Sequence, residues 1–179
     1  MGWHGGQLTS ADFYGGDPKD PRFQELIVRW FQFSVFCPIF RLHGFRLPYP
    51  ENRIRCDPYQ LTGGANEVWS FWERIYGILK DLFFLRERMK PYIKEQMRRC
   101  CDEGIPLMRP LFFNFRSDEN TYEVEDEFMF GSDVLAAPIC EEGAKNRRVY
   151  LPKGASGPTP ERTKLMKVDS GSPAKHPWK

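Results

Sequence analysis

The amino-acid sequence predicts an α/β chain in which helix–strand alternation gives way to an antiparallel β region. Three observations carry that expectation. Apolar residues recur at helical spacing over about 21–36 and again over 66–101. A short apolar run follows each helix, at 38–43 and at 107–113. Beyond these, the short β-type segments 127–130, 134–139 and 147–151 are separated by Gly-Ser-Asp and Glu-Glu-Gly-Ala turns with no helix between them.

The first helix has a strong start, because Asp20 suits the N-cap and Pro21 the first helical position, where a missing N–H costs nothing. Phe23, Leu26, Ile27, Trp30, Phe31 and Val35 then form its apolar face, and Pro38 stops it. The segment Pro38-Ile39-Phe40-Arg41-Leu42-His43-Gly44 reads as a buried strand or strand end that delivers Arg41 and His43 to one side. Residues 44–65 show no periodicity, three prolines and a Gly-Gly, so a functional or disordered loop is expected.

Asn66 can cap the second helix, whose stripe runs through Val68, Phe71, Trp72, Ile75, Leu79, Leu82, Phe83, Met89, Ile93 and Met97 and is expected to face the core. Pro91 should kink or split it, and Gly104-Ile105-Pro106 should end it. The run at 107–113 is continuously apolar, which predicts a strand covered on both faces in a parallel sheet. The acidic residues Glu123, Glu125, Asp126 and Glu127 read as a solvated turn face rather than a catalytic carboxylate pair. Few apolar residues occur beyond residue 155, which predicts disorder over 155–179.

Composition narrows the function. With 41% hydrophobic and 28% charged residues the chain is not disordered as a whole, and 15% aromatic content beside 15 Gly and 15 Pro suggests aromatic-lined surfaces joined by shaped loops. The net charge is +2, yet residues 155–179 hold five Lys/Arg against two Asp/Glu, so the remainder is slightly acidic. Such a body lacks the basic footprint that phosphate neutralisation needs, and no nucleic-acid partner is expected. No apolar stretch is long enough to span a membrane, and none is expected as a partner. The opening residues, MGWHGGQLTSADF, carry no secretory signal, which favours the cytoplasm. Cys37, Cys56, Cys100, Cys101 and Cys140 show neither CxxC spacing nor a nearby histidine pair, so they read as reduced, small apolar residues with no metal site.

Several collinear blocks together resemble glycoside hydrolase family 31, the α-glucosidases and α-xylosidases. They are FYGGDPKDPRFQELIVRWFQFSVFCPIFRLHG (13–44), NEVWSF (66–71), LRERMKPYIKEQM (85–97), PLMRPLFFNF (106–115), YEVEDEFMFGSDVLAAPI (122–139) and RRVYLPKG (147–154). The resemblance implies the last βα units of a catalytic (β/α)8 TIM barrel over 1–120, the first strands of a following β-sandwich over 121–154, and a disordered or unrelated tail over 155–179. A full barrel takes roughly 250 residues, so the chain is expected to be a fragment.

The family's reaction is retaining hydrolysis of terminal α-xylosyl or α-glucosyl residues, with a carbohydrate substrate and no cofactor. Retaining glycosidases need a nucleophilic carboxylate and a carboxylic acid about 5–5.5 Å apart. In the family these lie in WxDMNE-like or TDFGE-like and GDN-like motifs, none of which occurs here, so no catalytic residue is assigned. Three positions do carry over. His43, in FRLHG, matches the histidine that hydrogen-bonds the sugar in the −1 subsite, although by composition alone a lone His beside Gly44 is more often a surface or satisfied core histidine. Arg41 lies two residues earlier and is implied to support that subsite. Phe13 matches an aromatic at its mouth, with ordinary packing as the alternative.

Two departures stand out. Thr9-Ser10-Ala11-Asp12-Phe13 replaces the family's usual Asp-Ile-Gly-Gly-Phe, so the site-shaping aspartate is lost or shifted. Ala155 onward lacks the family's tryptophan-containing strand. The competing expectation is therefore a non-catalytic remnant, or a truncated reading of a longer gene, with at most weak sugar binding.

Overall fold

The computed structural model describes Gln7–Leu8, residues 20–42 and residues 67–154. The predicted loop over 44–65 and the tail beyond 154 lie outside the described residues. The chain divides into two compact units, one up to Leu85 and one from Arg86.

In the first unit, α1 spans Pro21–Ser34, and the Asp20 carboxylate caps it by accepting the Arg22 amide at 2.9 Å. Phe23, Ile27, Val28 and Phe31 are buried along one face, as a 3.6-residue period requires, whereas Leu26, expected on that face, is exposed. Val35 and Cys37 are also buried, and the Cys37 thiol donates to the Phe33 carbonyl at 3.6 Å. Two short strands, β1 (Gln7–Leu8) and β2 (Arg41–Leu42), pair in parallel, with Gln7 opposite Arg41 and Leu8 opposite Leu42.

The second helix starts later than Asn66 suggests. A 3₁₀ turn at Val68–Ser70 comes first, and α2 spans Glu73–Arg88. Trp72 sits at the junction with φ of 100°, uncommon for a bulky side chain, and its carbonyl accepts the amides of Ile75 and Tyr76. The core-facing stripe is also narrower than the sequence reading. Ile75, Leu79, Leu82 and Leu85 are buried, while Trp72, Phe83 and Phe84 are exposed. Steps of 4, 3 and 3 residues keep one phase of the helix, and Phe83 stands about 100° away from Leu82.

The second unit begins at the end of α2. Pro91 splits the helix as expected, because it has no N–H for the Glu87 carbonyl, and α3 runs over Lys90–Glu103. Gly104 closes it in the left-handed conformation, φ 70°, with its amide donating to the Cys100 carbonyl. Ile93 is buried, but Met97 is exposed, again outside the expected stripe.

The run at 107–113 is not a parallel strand. Only Met108–Pro110 forms a strand, β3, and it pairs antiparallel with β4 (Phe128–Phe130), which pairs antiparallel with β5 (Val134–Ala136). Pro110 brings no amide to extend the ladder, and Leu111–Asn114 turns into a single helical turn, α4. Segment 147–151 has extended spacing in the sequence but joins no strand. Its Tyr150 amide is held by the Glu127 carboxylate instead. Helix α3 seats the β4–β5 hairpin: the Tyr92 hydroxyl donates to the Phe130 carbonyl at 2.8 Å and accepts the Asp133 amide at 3.1 Å, and Gln96 Nε2 donates to Ser132 Oγ.

Candidate functional site

The sequence placed the sugar site at the end of the segment after α1, and Arg41 is the one predicted site residue that lies among the described residues. His43 and Phe13 lie outside them. How β2 is held follows from the residues before it. The backbone turns off α1 through Phe36 and Cys37, whose amides donate to the Phe33 and Ser34 carbonyls. Phe40 then packs edge-on against Phe31 of α1, with ring centroids 5.6 Å apart, and lies 6.1 Å from the Phe83 ring of α2. Strand alternation does the rest: Phe40 and Leu42 are half-buried, while Ile39 and Arg41 are exposed. A guanidinium such as that of Arg41 can donate to hydroxyl or carboxylate oxygens.

The second unit holds two carboxylates that the sequence did not place in the interior. Asp118 is 2% exposed and Glu127 is 4% exposed, although the latter was expected in a solvated turn face. Glu127 is inside because Oε1 accepts the Tyr150 amide at 2.8 Å and Arg147 at 3.2 Å. Burial pushes its carboxyl up, against the opposing pull of the Tyr150 amide and Arg147. Asp118 Oδ2 accepts the Lys153 amide at 2.8 Å and the Tyr150 hydroxyl at 2.7 Å. Those two bonds, the Lys153 amide first, hold the Asp118 carboxyl below the usual aspartate range. The partners lie twenty or more residues apart in sequence, and no local motif announces them. Among the described residues no group of three or more His, Cys, Asp or Glu is placed to hold a metal ion, and Cys100, Cys101 and Cys140 are free thiols.

Two family models match this chain. One, the glycosyl hydrolases family 31 TIM-barrel domain, covers residues 1–96, and the other, the glycosyl hydrolase family 31 C-terminal domain, covers residues 104–158. The chain belongs to glycosyl hydrolase family 31. It carries part of the family's barrel and part of the domain that follows, and β3, β4 and β5 fall in the second match.

Named relatives agree with this family membership. An α-xylosidase of Saccharolobus solfataricus is 32% identical over 143 residues, 80% of this chain and 17% of that protein. Alpha-glucosidase 2 of Bacillus thermoamyloliquefaciens is 37% identical over 133 residues, 73% of this chain and 15% of that protein. This chain thus spans about a sixth of the length of such relatives. Among solved structures, a family 31 α-xylosidase from a soil metagenome, complexed with xylose, is 48% identical with a TM-score of 0.70 over 78% of this chain and 21% of that one. A Flavobacterium johnsoniae dextranase of the same family, complexed with isomaltotriose, is 33% identical with a TM-score of 0.62 over 79% of this chain and 16% of that one. The lineage is that of α-glycoside hydrolases.

Proposed function

We propose that this chain contributes the sugar-contacting end of a family 31 barrel, made of its last βα units, to retaining hydrolysis of terminal α-xylosyl or α-glucosyl residues. The observation that carries the reading is the 48% identity, over 78% of the chain, to an α-xylosidase crystallised with xylose. Under this reading His43 hydrogen-bonds the sugar hydroxyls, Arg41, two residues earlier in the sequence, supports it, and Phe13 stacks on the ring. Residues β4 and β5 belong to the first strands of the following β-sandwich. The sequence contains neither carboxylate motif of the family, so this chain's own part is to bind and orient the sugar, while bond cleavage requires carboxylates that it does not supply.

That same lack of the motifs favours a second reading, a non-catalytic remnant with at most weak sugar binding. Two measurements on the full chain separate the readings. Titration with xylose and with glucose, followed by protein NMR, should give saturable shifts that are lost in His43→Ala and weakened in Arg41→Ala. Incubation with an aryl α-xyloside should give no turnover. Identical titrations for wild type and His43→Ala would overturn the assignment of His43. Hydrolysis that persists through rigorous purification and is abolished by a point change within these residues would overturn the division of labour.

A further inference from the structure

The second unit displays a pair of aromatic rings at its surface. Phe112, on α4, and Tyr122, at the end of a 3₁₀ turn over Glu119–Tyr122, lie nearly parallel, with ring centroids 5.0 Å apart and 9° between their planes. Offset stacking of this kind is a favoured arrangement of two rings. Yet Phe112 is 37% exposed and Tyr122 53% exposed, so the pair covers only part of each ring.

The backbone beneath the rings is firmly held. Leu111 beside Phe112 and Thr121 beside Tyr122 are both fully buried, and Thr121 Oγ1 donates to the Asp118 carbonyl at 2.7 Å. Asn120 Nδ2 donates to the Tyr150 hydroxyl at 3.1 Å, and Asp118 Oδ2 accepts that hydroxyl and the Lys153 amide. The turn is thus pinned to a segment some thirty residues away, while the ring it carries meets water.

We propose that Phe112 and Tyr122 form a platform on which the apolar face of a sugar ring stacks, with Glu119 accepting from its hydroxyls. Side chains three apart eclipse in a 3₁₀ turn, which sets Glu119 beside Tyr122. Charge narrows the occupant. Residues 117–127 contain no Lys or Arg, and Glu119, Glu123, Glu125 and Asp126 among them are exposed, while Arg116, just before them, lies over the Phe113 ring. Such a border repels phosphates, and with them nucleic acid and anionic lipid surfaces. Size narrows it further. Two aromatic side chains bury about 150–250 Å² each, short of the roughly 800 Å² per partner of a stable protein interface. A neutral ligand with one flat apolar face and hydroxyl donors at its edge fits both limits. The choice of a sugar among such ligands rests on the reading of the chain as part of a glycosidase, but the platform shares no residue with His43, Arg41 or Phe13.

The test is titration of the full chain with isomaltotriose, followed by NMR at the Phe112 and Tyr122 ring signals. A trisaccharide lets one ring cover Tyr122 while the next reaches Glu119. Saturable shifts are expected there and should persist in His43→Ala, which separates the platform from the His43 assignment. Tyr122→Ala, read at Phe112, should weaken binding roughly fivefold or more, whereas Tyr122→Phe keeps the flat face and should stay within about twofold of wild type. Sorbitol, which has the hydroxyls without the ring, should give no saturable shift. An absence of saturable shifts at the two rings, their loss in His43→Ala, an equal response to sorbitol, or binding unchanged by Tyr122→Ala would each overturn the proposal. If exchange of the Tyr92-bound Asp133 amide shows that Tyr122→Ala loosens the unit, Tyr122→Leu decides: it keeps apolar bulk without a flat face, and undiminished binding would refute the platform. Ring signals that move with protein concentration alone would make the pair a contact between copies of the chain and overturn it as well.

Discussion

Gly131 is the residue of the β4–β5 hairpin with the least freedom, and the cost of giving it a side chain can be worked out from its surroundings. Its φ is +71°, where an L residue loses about 1–2 kcal/mol to the clash of Cβ with the following carbonyl. A Cβ there would also collide with the Tyr92 hydroxyl and stand 2.8 Å from Gln96 Cγ. The hydroxyl cannot withdraw freely, because it is bonded to the Phe130 carbonyl and the Asp133 amide. Forced overpacking of this kind adds about 1–3 kcal/mol, so Gly131→Ala should cost about 2–5 kcal/mol in all.

Gly104 provides the internal control. Its φ is +70°, yet a Cβ there would meet nothing within 4 Å, so Gly104→Ala should show the backbone part alone, about 1–2 kcal/mol. Chemical denaturation of both variants, with exchange of the Asp133 amide as the local readout, separates the two terms. Equal losses at the two positions, within about 0.5 kcal/mol, would show that the Tyr92 contact does not dictate glycine at 131. Removing the hydroxyl as well, in Gly131→Ala with Tyr92→Leu, should make the pair less than additive.

Further outcomes are expected elsewhere. Leu79 is fully buried in α2, so Leu79→Ala should cost about 2–5 kcal/mol in a denaturation measurement. Phe84, 53% exposed on the same helix, should tolerate Phe84→Ala within about 0.5 kcal/mol, and the reverse order would mean that the phase of α2 is misread. In a longer family 31 enzyme that carries the FRLHG segment, His43→Ala should remove about 1–3 kcal/mol of transition-state stabilisation, or roughly 5- to 150-fold in kcat/KM, with the melting temperature retained. Activity within twofold of wild type would exclude a sugar contact, and collapse of the melt would instead make His43 a core residue.

What the sequence could and could not announce follows from the range of the interactions. The Asp20-Pro21 start, the stripe from Phe23 to Phe31 and the stop at Gly104 act within a few residues of themselves, so spacing alone revealed them. The late start of α2 at Glu73 was hidden, because Trp72 takes a conformation that its side chain does not favour. The apolar run at 107–113 misled for a different reason. Leu107, Arg109 and Leu111 are buried, but that burial is compatible with an antiparallel edge cut short by Pro110 as well as with a central parallel strand. The partner that decides between them, β4, stands twenty residues downstream. Glu127 is the sharpest case. Its neighbours Glu123, Glu125 and Asp126 are exposed, and nothing local distinguishes it from them. It is buried because Arg147 and the Tyr150 amide, twenty and more residues away, give one of its oxygens the hydrogen bonds that water would otherwise supply. Strand β2 falls between these limits. Helical spacing located α1 and Pro38, and through them the place where β2 emerges, but the role of His43 rests on family likeness, since a histidine's chemistry is set by neighbours that one sequence does not reveal.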